Sequence, residues 1–497
     1  MNFLIKAMDF TACKSVRLLL ALWCLIFSQY GCVPKQIQKT NVPPPPKVIS
    51  QQEAPGGHPQ AHNPTTPVTP SAPPKPTHST TNPTLPPPAR DPATTAPSLP
   101  HQTLPATIDT ATAQQQQPAT SADKEAVLPA LGQMDIALLL PFNMPVYHEG
   151  MNVDSLPEKT KVALDFYEGI LCGLDYLRTQ GIVPNIKVLD SENNPAKVRG
   201  ILADPALSSE TDLIIGPIYN GEIKDVATFA KQNKIYQVSP LSPSTQNTKD
   251  NPYYIMANPS VETHCKAMFD YISTNMLNSQ IIAVSSNAKP SDQALAAKFG
   301  QFATAKKSEG MNGYPVSSLN FNAGITSSAE LEALMSPSRR NVFVVTTYND
   351  EALIIDISNK LLSLSEKYDI AVFGMPNWVD LPNLPLDALA ELNFHYTTTY
   401  WDNQSAEIQY FKQSFYNKFK TYPSEYAGRA YDLIRYFGQS LKNNGRQVGD
   451  NLNDKTGLFG NFKFRPSIGG VKTDYIENNY VHIIRFNQEY ILERINR

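Results

Sequence analysis

From Met134 onwards, short apolar runs alternate with longer stretches in which apolar residues recur every three or four positions. The run Met134–Leu140 is almost continuously apolar, which predicts a strand buried on both faces of a sheet. The apolar positions within 162–177 predict a helix, and Ser155 with Glu158 predicts a capping box at its start. Because such strands and helices keep alternating, the sequence predicts parallel sheets with helices on both faces.

The alternation restarts after about residue 278, so the sequence predicts two α/β units in succession. The other predicted elements are strands at 186–189, 212–215, 235–238, 280–284, 341–345 and 370–373, helices near 195–203, 222–232, 292–307, 350–362, 405–419 and 424–442, and edge or antiparallel strands at 460–464 and 480–484. The predicted fold class is therefore α/β, with two Rossmann-like lobes that each hold a parallel sheet. We expect lobe 1 at about 132–260 and 400–445, and lobe 2 at about 275–395 with part of 455–497.

Residues 1–32 have the pattern of an export signal. Basic residues precede the apolar run 18–27, which is too short to span a bilayer. The pair Gly31-Cys32 that follows resembles the lipobox of bacterial lipoproteins, although Gln29 stands where that motif usually has Leu. We expect cleavage before Cys32 and lipidation of its thiol, with an ordinary secretory signal as the alternative. In both cases the mature chain is exported, and the only membrane contact expected is the lipid anchor.

The segment 33–131 has a composition that opposes folding. Of the 42 prolines in the chain, 23 lie between Pro34 and Pro129, a stretch without a single Phe, Trp or Tyr. Such a segment buries too little apolar surface to offset the entropy lost on ordering. We expect a disordered Pro/Thr/Gln-rich linker that spaces the folded body 132–497 from a membrane.

Charge and cysteine content exclude some functions and leave others open. The chain has 42 Lys and Arg against 45 Asp and Glu, a net charge of −3, so it lacks the basic field of a nucleic-acid-binding protein. Outside the signal segment only Cys172 and Cys265 remain, and we expect buried free thiols rather than a disulfide. The histidines of the body are isolated in sequence, and we expect no metal and no cofactor.

A series of short motifs carries a resemblance to a known family. The motifs, in chain order, are Leu139-Leu-Pro-Phe142, Asp165-Phe-Tyr-Glu-Gly169, Ile214-Ile-Gly-Pro217, Val238-Ser-Pro240, Asn258-Pro-Ser260, Phe373-Gly-Met-Pro-Asn-Trp378, Ala430-Tyr-Asp432 and Gly457-Leu-Phe-Gly-Asn-Phe462. Their order resembles the type I periplasmic binding proteins, the group of the Leu/Ile/Val-binding receptors. The chain is also similar to envelope lipoproteins of Bacteroidetes-type bacteria. The family resemblance implies three hinge crossings between the lobes, near 259–279, 374–404 and 443–460.

Ligands of α/β proteins bind outside the carboxyl ends of the strands, which selects the candidate site. The residues so placed are Asn143, Asp190, Tyr219, Asn220, Ser239 to Thr245 (with Ser239, Ser242 and Thr245 as main candidates), Thr346 to Tyr348 (with Thr347 and Tyr348), Asn377 and Trp378. For some of them a structural role is the alternative: Asp190 and Asn220 as helix caps, and Trp378 as core or interlobe packing.

One departure from the family pattern concerns specificity. Amino-acid binders of this family have Ser-Pro-x-x-Thr after the fourth strand, and the resemblance implies that this Thr hydroxyl helps to hold the ligand carboxylate. Here Pro243 stands at that position, and proline offers neither a hydroxyl nor an amide donor. The expected Ser of the preceding motif is Asn220, and Ser242, Ser244 or Thr245 are the residues available to compensate.

No complete set of catalytic motifs is present, so the sequence predicts a protein that is not an enzyme. The first functional hypothesis is a lipid-anchored receptor that binds a small polar ligand (an amino acid, peptide or cell-wall fragment) for ABC-type uptake or sensing, with an ABC permease as partner. The second is an outer-membrane lipoprotein that regulates peptidoglycan synthesis by binding a penicillin-binding-protein-type synthase, with no solute bound. Both place the body on the periplasmic side of the cell envelope.

Overall fold

The computed structural model describes residues 134–144, 155–246, 249–310, 314–469 and 472–496. The expected signal, the lipidation site Cys32 and the linker 33–131 lie outside these residues. The strands, in chain order, are β1 (Asp135–Leu140), β2 (Asn185–Asp190), β3 (Leu213–Ile215), β4 (Tyr236–Ser239), β5 (Tyr254–Met256), β6 (Ser279–Ser286), β7 (Val316–Phe321), β8 (Arg340–Val345), β9 (Ile370–Phe373), β10 (Phe394–Thr398), β11 (Lys455–Thr456), β12 (Asn461–Phe462), β13 (Phe464–Gly469), β14 (Lys472–Asn478), β15 (His482–Phe486) and β16 (Leu492–Arg494).

The helices surround these strands. They are α1 (Glu158–Thr179), α2 (Pro195–Leu202), α3 (Pro205–Glu210), α4 (Asn220–Asn233), α5 (Val261–Asn275), α6 (Pro290–Ser308), α7 (Ser328–Glu332), α8 (Glu351–Ser365), α9 (Leu386–Glu391), α10 (Ala406–Phe419) and α11 (Glu425–Asn444). The seven that the sequence predicted begin close to their predicted positions, whereas those at 205–210, 261–275, 328–332 and 386–391 were not predicted. The predicted capping box of α1 is wrong: Pro157 is the N-cap and no side chain caps the helix, so Ser155 does not have that role. Among the described helices, none is both long and apolar enough to cross a bilayer.

Two seven-stranded sheets form the cores of two lobes. The first sheet has the order β13-β14-β5-β4-β3-β1-β2, and only its β13 edge is antiparallel to its neighbour. The second has the order β16-β15-β10-β9-β8-β6-β7, with β15 and β16 antiparallel at one edge. The prediction of two Rossmann-like lobes with parallel sheets is confirmed.

Strand β1 shows why the apolar runs are continuous. Ile136, Leu138 and Leu140 belong to the core beneath α1 and α11, whereas Ala137 and Leu139 belong to the core on the opposite face. Successive side chains of a strand point to opposite faces, so a strand covered on both sides is apolar at every position.

Helices α1 and α11 cross closely over the first sheet. A Cβ atom on Gly169 of α1 would lie 2.1 Å from the backbone oxygen of Ala427 in α11, so this crossing requires glycine. The first lobe therefore includes a helix from far along the chain, α11. The N-terminal turn of α11 lies in the region between the lobes.

The chain crosses between the sheets at 257–260, at 399–405 and at 479–481. The third crossing expected from the family resemblance, 443–460, is wrong, because α11, β12 and β13 on either side of that segment all pack in the first lobe. The first crossing is also shorter than expected, since α5 already belongs to the core of the second lobe.

The side chain of Asn478 forms hydrogen bonds that link two of these crossings. Its side-chain nitrogen donates to the backbone oxygens of Ala257 and Asn461, each at 3.2 Å. Its side-chain oxygen accepts from the backbone nitrogens of Lys463 at 2.8 Å and Tyr480 at 3.2 Å. Since Asn478 is only 2 % exposed, its removal leaves buried backbone groups without partners.

We expect Asn478→Ala to lower the free energy of unfolding by about 2–4 kcal/mol, because four hydrogen bonds are lost at a buried position. Chemical denaturation with global fitting measures this change. The matched control is Asn479→Ala, since the neighbouring Asn479 is exposed. Equal effects of the two substitutions would show that the crossings do not depend on the Asn478 side chain.

Candidate functional site: the cleft between the lobes

A cavity of about 230 Å³ lies between the lobes, beside the first two crossings. Both lobes contribute to its wall, which is formed by Pro243, Asn258, Pro259, Val261, His264, Tyr348, Pro376, Asn377, Val379, Asp380, Thr398, Thr399, Glu425 and Arg429. The wall therefore contains one guanidinium and two carboxylates among otherwise neutral groups.

Arg429 connects α11 to both crossings at the cavity wall. One terminal nitrogen, Nη1, donates to the Thr399 hydroxyl and, at 3.4 Å, to the side-chain oxygen of Asn258. The other, Nη2, lies 3.2 Å from a carboxylate oxygen of Glu425, one helical turn earlier. The Nε atom of Arg429 is buried and has no partner among the described residues.

Asp380 faces this network from the second lobe, at the end of a 3₁₀ helix spanning Pro376–Asp380. Partial burial, with the nearby Glu425 carboxylate, raises the pKa of Asp380, and Arg429 opposes this shift. No described residue forms a hydrogen bond or ion pair with the Asp380 side chain. The carboxylates of Glu425 and Asp380, from opposite lobes, thus line the same cavity, and the Arg429 guanidinium is the charge that opposes them.

His264 closes one side of the cavity as a neutral ring. It is 6 % exposed, and its Nδ1 lies 2.8 Å from the Thr397 hydroxyl. Burial, with the nearby Arg429 charge, lowers the pKa of His264 to about 3. The ring therefore contributes hydrogen-bonding capacity at neutral pH without a charge.

Two of the sequence-predicted residues line the cavity, Tyr348 and Asn377. The amide nitrogen of Asn377 donates to the backbone oxygen of Tyr348 at 3.1 Å and to the side-chain oxygen of Asn349 at 2.7 Å. The side-chain oxygen of Asn377 is buried without a partner among the described residues. The wall residues Arg429 and Asn377 thus each keep one buried side-chain atom without a partner among the described residues, Nε on the first lobe and Oδ1 on the second.

Four other predicted residues lie at the carboxyl edge of the first sheet but do not line the cavity: Asn143, Tyr219, Asn220 and Thr245. Asp190 accepts from the backbone nitrogens of Asn143 and Met144 at 3.0 and 2.9 Å, so it holds the exit of β1. Lys159 lies 4.9 Å from the centre of the Tyr219 ring. Burial raises the pKa of Tyr219 to about 12, so its hydroxyl remains protonated.

Three predicted residues are interior and do not line the cavity. Ser239, Thr347 and Trp378 are each 0 % exposed. The indole nitrogen of Trp378 donates to the backbone oxygen of Thr347 at 2.9 Å, and the Thr347 hydroxyl accepts from the backbone nitrogen of Ser286 at 3.1 Å. Their placement after buried strands reflects packing within each lobe, which is the structural role given as the alternative for Trp378.

The residues of the altered serine-proline motif divide between the cavity wall and a local hydrogen bond. Pro243 lines the cavity and is exposed, and it presents no hydrogen-bond donor there. Ser242 is 4 % exposed and its hydroxyl donates to the side-chain oxygen of Asn220. Ser242 therefore joins β4 to α4 rather than replacing the missing Thr hydroxyl in the cavity.

Sequence reasoning missed the charged residues of the cavity: Asp380, Glu425 and Arg429. Arg429 immediately precedes the motif Ala430-Tyr-Asp432, and Asp380 follows Trp378 by two residues, so the motifs marked the right segments. Nothing in the sequence indicates that α11, which packs on the first lobe, directs its first turn towards the second.

Both remaining cysteines are free thiols, as expected, but Cys172 is only half-buried on α1 whereas Cys265 is buried on α5. Burial raises the pKa of Cys172 to about 11 and that of Cys265 to about 12, so both stay protonated. Within the part of the chain that the structure describes, no three His, Cys, Asp or Glu side chains are grouped as metal ligands.

Two α/β lobes, three crossings and a polar cavity between the lobes define a two-lobed, hinged binding protein. The chain belongs to the periplasmic binding protein family, whose sequence model matches residues 180–456. This family implies an exported, periplasmic protein with a solute-binding domain. No curated protein matches the chain.

Solved structures share the fold at low sequence identity. A putative branched-chain amino acid ABC transporter protein from Rhodospirillum rubrum is 14% identical, with a TM-score of 0.54 over 73% of this chain and 100% of its own. A branched-chain amino acid ABC transporter periplasmic ligand-binding protein from Burkholderia xenovorans is 13% identical, with a TM-score of 0.51 over 73% of this chain and 95% of its own. An ABC-type branched-chain amino acid transporter protein from Rhodopseudomonas palustris is 14% identical, with a TM-score of 0.50 over 73% and 96%.

Proposed function

We propose that this chain is a lipid-anchored receptor whose two lobes close over a small polar ligand, an amino acid, peptide or cell-wall fragment. The signal 1–32 is removed, Cys32 carries the lipid, and 33–131 spaces the body 132–497 from the membrane, with the outer membrane as the favoured site of the anchor. The receptor performs no chemistry on its ligand. It delivers the ligand to an ABC permease or reports its presence.

The cavity between the lobes carries this proposal. A ligand shifts a two-state hinge only if it contacts the closed state better than the open state, which requires groups from both lobes. Arg429 and Glu425 come from α11 of the first lobe, and Asp380 and Asn377 come from the second. A ligand with both a donor and an acceptor satisfies groups on each side at once.

The purified protein tests the proposal in a thermal-shift screen of amino acids, short peptides and cell-wall fragments, followed by calorimetry. We expect at least one class to raise the melting temperature, and Asp380→Asn to weaken that ligand at least tenfold. Asp387→Asn, on the exposed side of α9, is the matched control and should leave the affinity unchanged. A screen in which no class raises the melting temperature would count against a solute receptor.

A second function, regulation of a penicillin-binding-protein-type synthase, is favoured by three observations. The cavity of about 230 Å³ is smaller than the roughly 300–1,000 Å³ of most ligand pockets, and Pro243 offers it no donor. A solute receptor that diffuses to a permease also has little need of the proline-rich segment 33–131. Shortening that segment by half in cells distinguishes the two: loss of envelope integrity favours the regulator, and crosslinking then identifies its partner.

A further inference from the structure

A second hollow, of about 490 Å³, adjoins the cavity on the side of the second crossing. The two spaces share Val379, Thr398 and Glu425 as wall residues, so they meet at the Glu425 carboxylate. Aromatic and polar residues of the second crossing line the far side of this hollow, among them Tyr400, Trp401, Asn403 and Gln404. We call this second hollow the annex.

The annex offers hydrogen-bond donors, and several of its acceptors already have partners. Asp402 forms an ion pair with Lys412, and the side-chain oxygen of Asn403 accepts from the backbone nitrogen of Ser405 at 3.0 Å. The side-chain oxygen of Gln404 accepts from Gln409 at 2.7 Å. The amide nitrogens of Asn403 and Gln404 therefore remain as donors.

Two aromatic residues, Tyr400 and Trp401, add hydrogen-bond donors that are attached to apolar rings. Tyr400 stacks on Phe459, with ring centres 4.9 Å apart, and this contact fixes its orientation. No described residue is hydrogen-bonded to the Tyr400 hydroxyl or to the Trp401 indole nitrogen. Aromatic rings with polar edges are suited to ligands that alternate apolar atoms with carbonyl oxygens.

At the junction of the two spaces the charge is negative. Glu425 lies at the junction and Asp380 lies in the cavity wall beside it. Arg429 opposes these two carboxylates, but it is already paired with Glu425 and also binds Thr399, so one negative charge remains. A cation that contacts carboxylates of both lobes favours the closed state. The junction therefore selects a cationic group such as an ammonium.

We propose that the ligand is a short peptide with a free amino group, which places its ammonium between Glu425 and Asp380 and its backbone carbonyls in the annex. This rests on the proposed receptor function and specifies its ligand. A single amino acid is too small to occupy both spaces. A compound without an amine leaves the Asp380 carboxylate without a cationic partner, since Arg429 is paired with Glu425.

Calorimetry on the whole purified protein with trialanine, N-acetyl-trialanine, alanine, leucine and glucosamine tests this assignment. We expect trialanine to bind at least tenfold more tightly than either amino acid or glucosamine, and acetylation of its amino group to weaken it at least tenfold. Glu425→Gln and Trp401→Ala should each weaken trialanine by tenfold or more. Tyr410→Ala is the control, since this residue is 76% exposed on α10 and should change nothing.

The outcomes separate the ligand assignment from the receptor function. Tight binding of leucine or alanine, with trialanine no better, overturns the peptide assignment and leaves a solute receptor. Equal binding of trialanine and its acetylated form overturns the role of the carboxylate junction. If none of these compounds nor any member of the wider ligand screen binds, the receptor function fails together with the assignment. Melting temperatures confirm that Glu425→Gln and Trp401→Ala are folded, and Asp380→Asn provides an independent variant of the junction.

Discussion

Acidification from about pH 7.5 to about pH 5 is expected to reduce the free energy of unfolding by several kcal/mol, because three histidines are buried as neutral rings. His264, His395 and His482 are 6 %, 3 % and 1 % exposed. Burial lowers the pKa of His264 and of His395 to about 3, and that of His482 to about 4. Each ring remains neutral in the folded protein at pH 5.

The sign follows from which state binds protons. The unfolded chain protonates its histidines below about pH 6.5, whereas the folded chain does so only near pH 3 to 4. Between these values the unfolded state binds more protons, so stability falls as the pH falls. Each histidine contributes about 2 kcal/mol between about pH 7.5 and about pH 5, or about 6 kcal/mol for the three.

Carboxyl groups whose pKa is raised by burial work in the opposite direction; among the described residues these are Asp165, Glu168, Glu222, Asp380 and Asp432. Burial, with the nearby Asp165, raises the pKa of Glu168 to about 7. A carboxyl whose pKa is raised on folding binds a proton more readily in the folded state, so its contribution to stability increases as the pH falls. Glu168 is only about half-buried, and solvent screening limits this gain to about 1 kcal/mol. The three histidines therefore outweigh Glu168.

Urea denaturation at several pH values measures the effect, and single variants assign it. His264→Gln keeps a side chain able to hydrogen-bond with Thr397 but removes the titrating ring. We expect this variant to lose about 2 kcal/mol of the pH dependence relative to the unsubstituted protein. A pH dependence that is identical in both proteins would mean that His264 is protonated in the folded state.

The elements that the sequence predicted are those that other parts of the fold cover completely. Strands β1, β6, β8 and β9 lie inside their sheets with helices on both faces, so the central residues of each strand form a continuous apolar run. Strand β7 is an edge strand with alternating exposure. Its Ser and Asn residues interrupt the apolar pattern, so the sequence analysis did not predict this strand. The strands that the sequence analysis missed are β5, β7, β10, β11, β14 and β16, and they combine short length or polar residues with an edge or crossing position.

Strand β14 explains a second kind of failure. It contains Glu477 and Asn478, which are polar and nevertheless buried because they bind the crossings. Glu477 accepts from the backbone nitrogen of Ser260 at 2.7 Å and from the hydroxyl of Thr263, at the start of α5. A hydrophobicity pattern does not reveal a polar residue whose partners lie some 200 positions away.

The candidate site shows the same limit. The rule that ligands bind at the carboxyl ends of strands led to Tyr348 and Asn377, which do line the cavity. The charges at the cavity come from a helix N-terminus and a 3₁₀ helix, and they meet only because the crossings set one lobe against the other. Local sequence determines each lobe well, whereas the space between lobes depends on long-range packing.

Trp378→Ala is expected to lower the free energy of unfolding by about 3–5 kcal/mol, the usual cost of emptying a large aromatic site in a core. The ring is fully buried and stacks on Phe394 with centres 5.6 Å apart. A Cβ on Gly374 would lie 2.6 Å from the Trp378 ring, so the backbone approaches the indole as closely as glycine allows.

Trp378→Phe separates packing from ligand contact. This variant keeps an aromatic ring against Phe394 but loses the hydrogen bond to the Thr347 carbonyl, so we expect a smaller loss of about 1–3 kcal/mol. Because Trp378 does not line the cavity, the affinity for whichever ligand the screen identifies should change by less than about threefold, within the spread expected for a residue that contacts no ligand. Urea denaturation measures the first quantity and calorimetry on the folded variant the second. A large loss of affinity with little loss of stability would show that Trp378 contacts the ligand. The packing around its ring would then have to open when the lobes close.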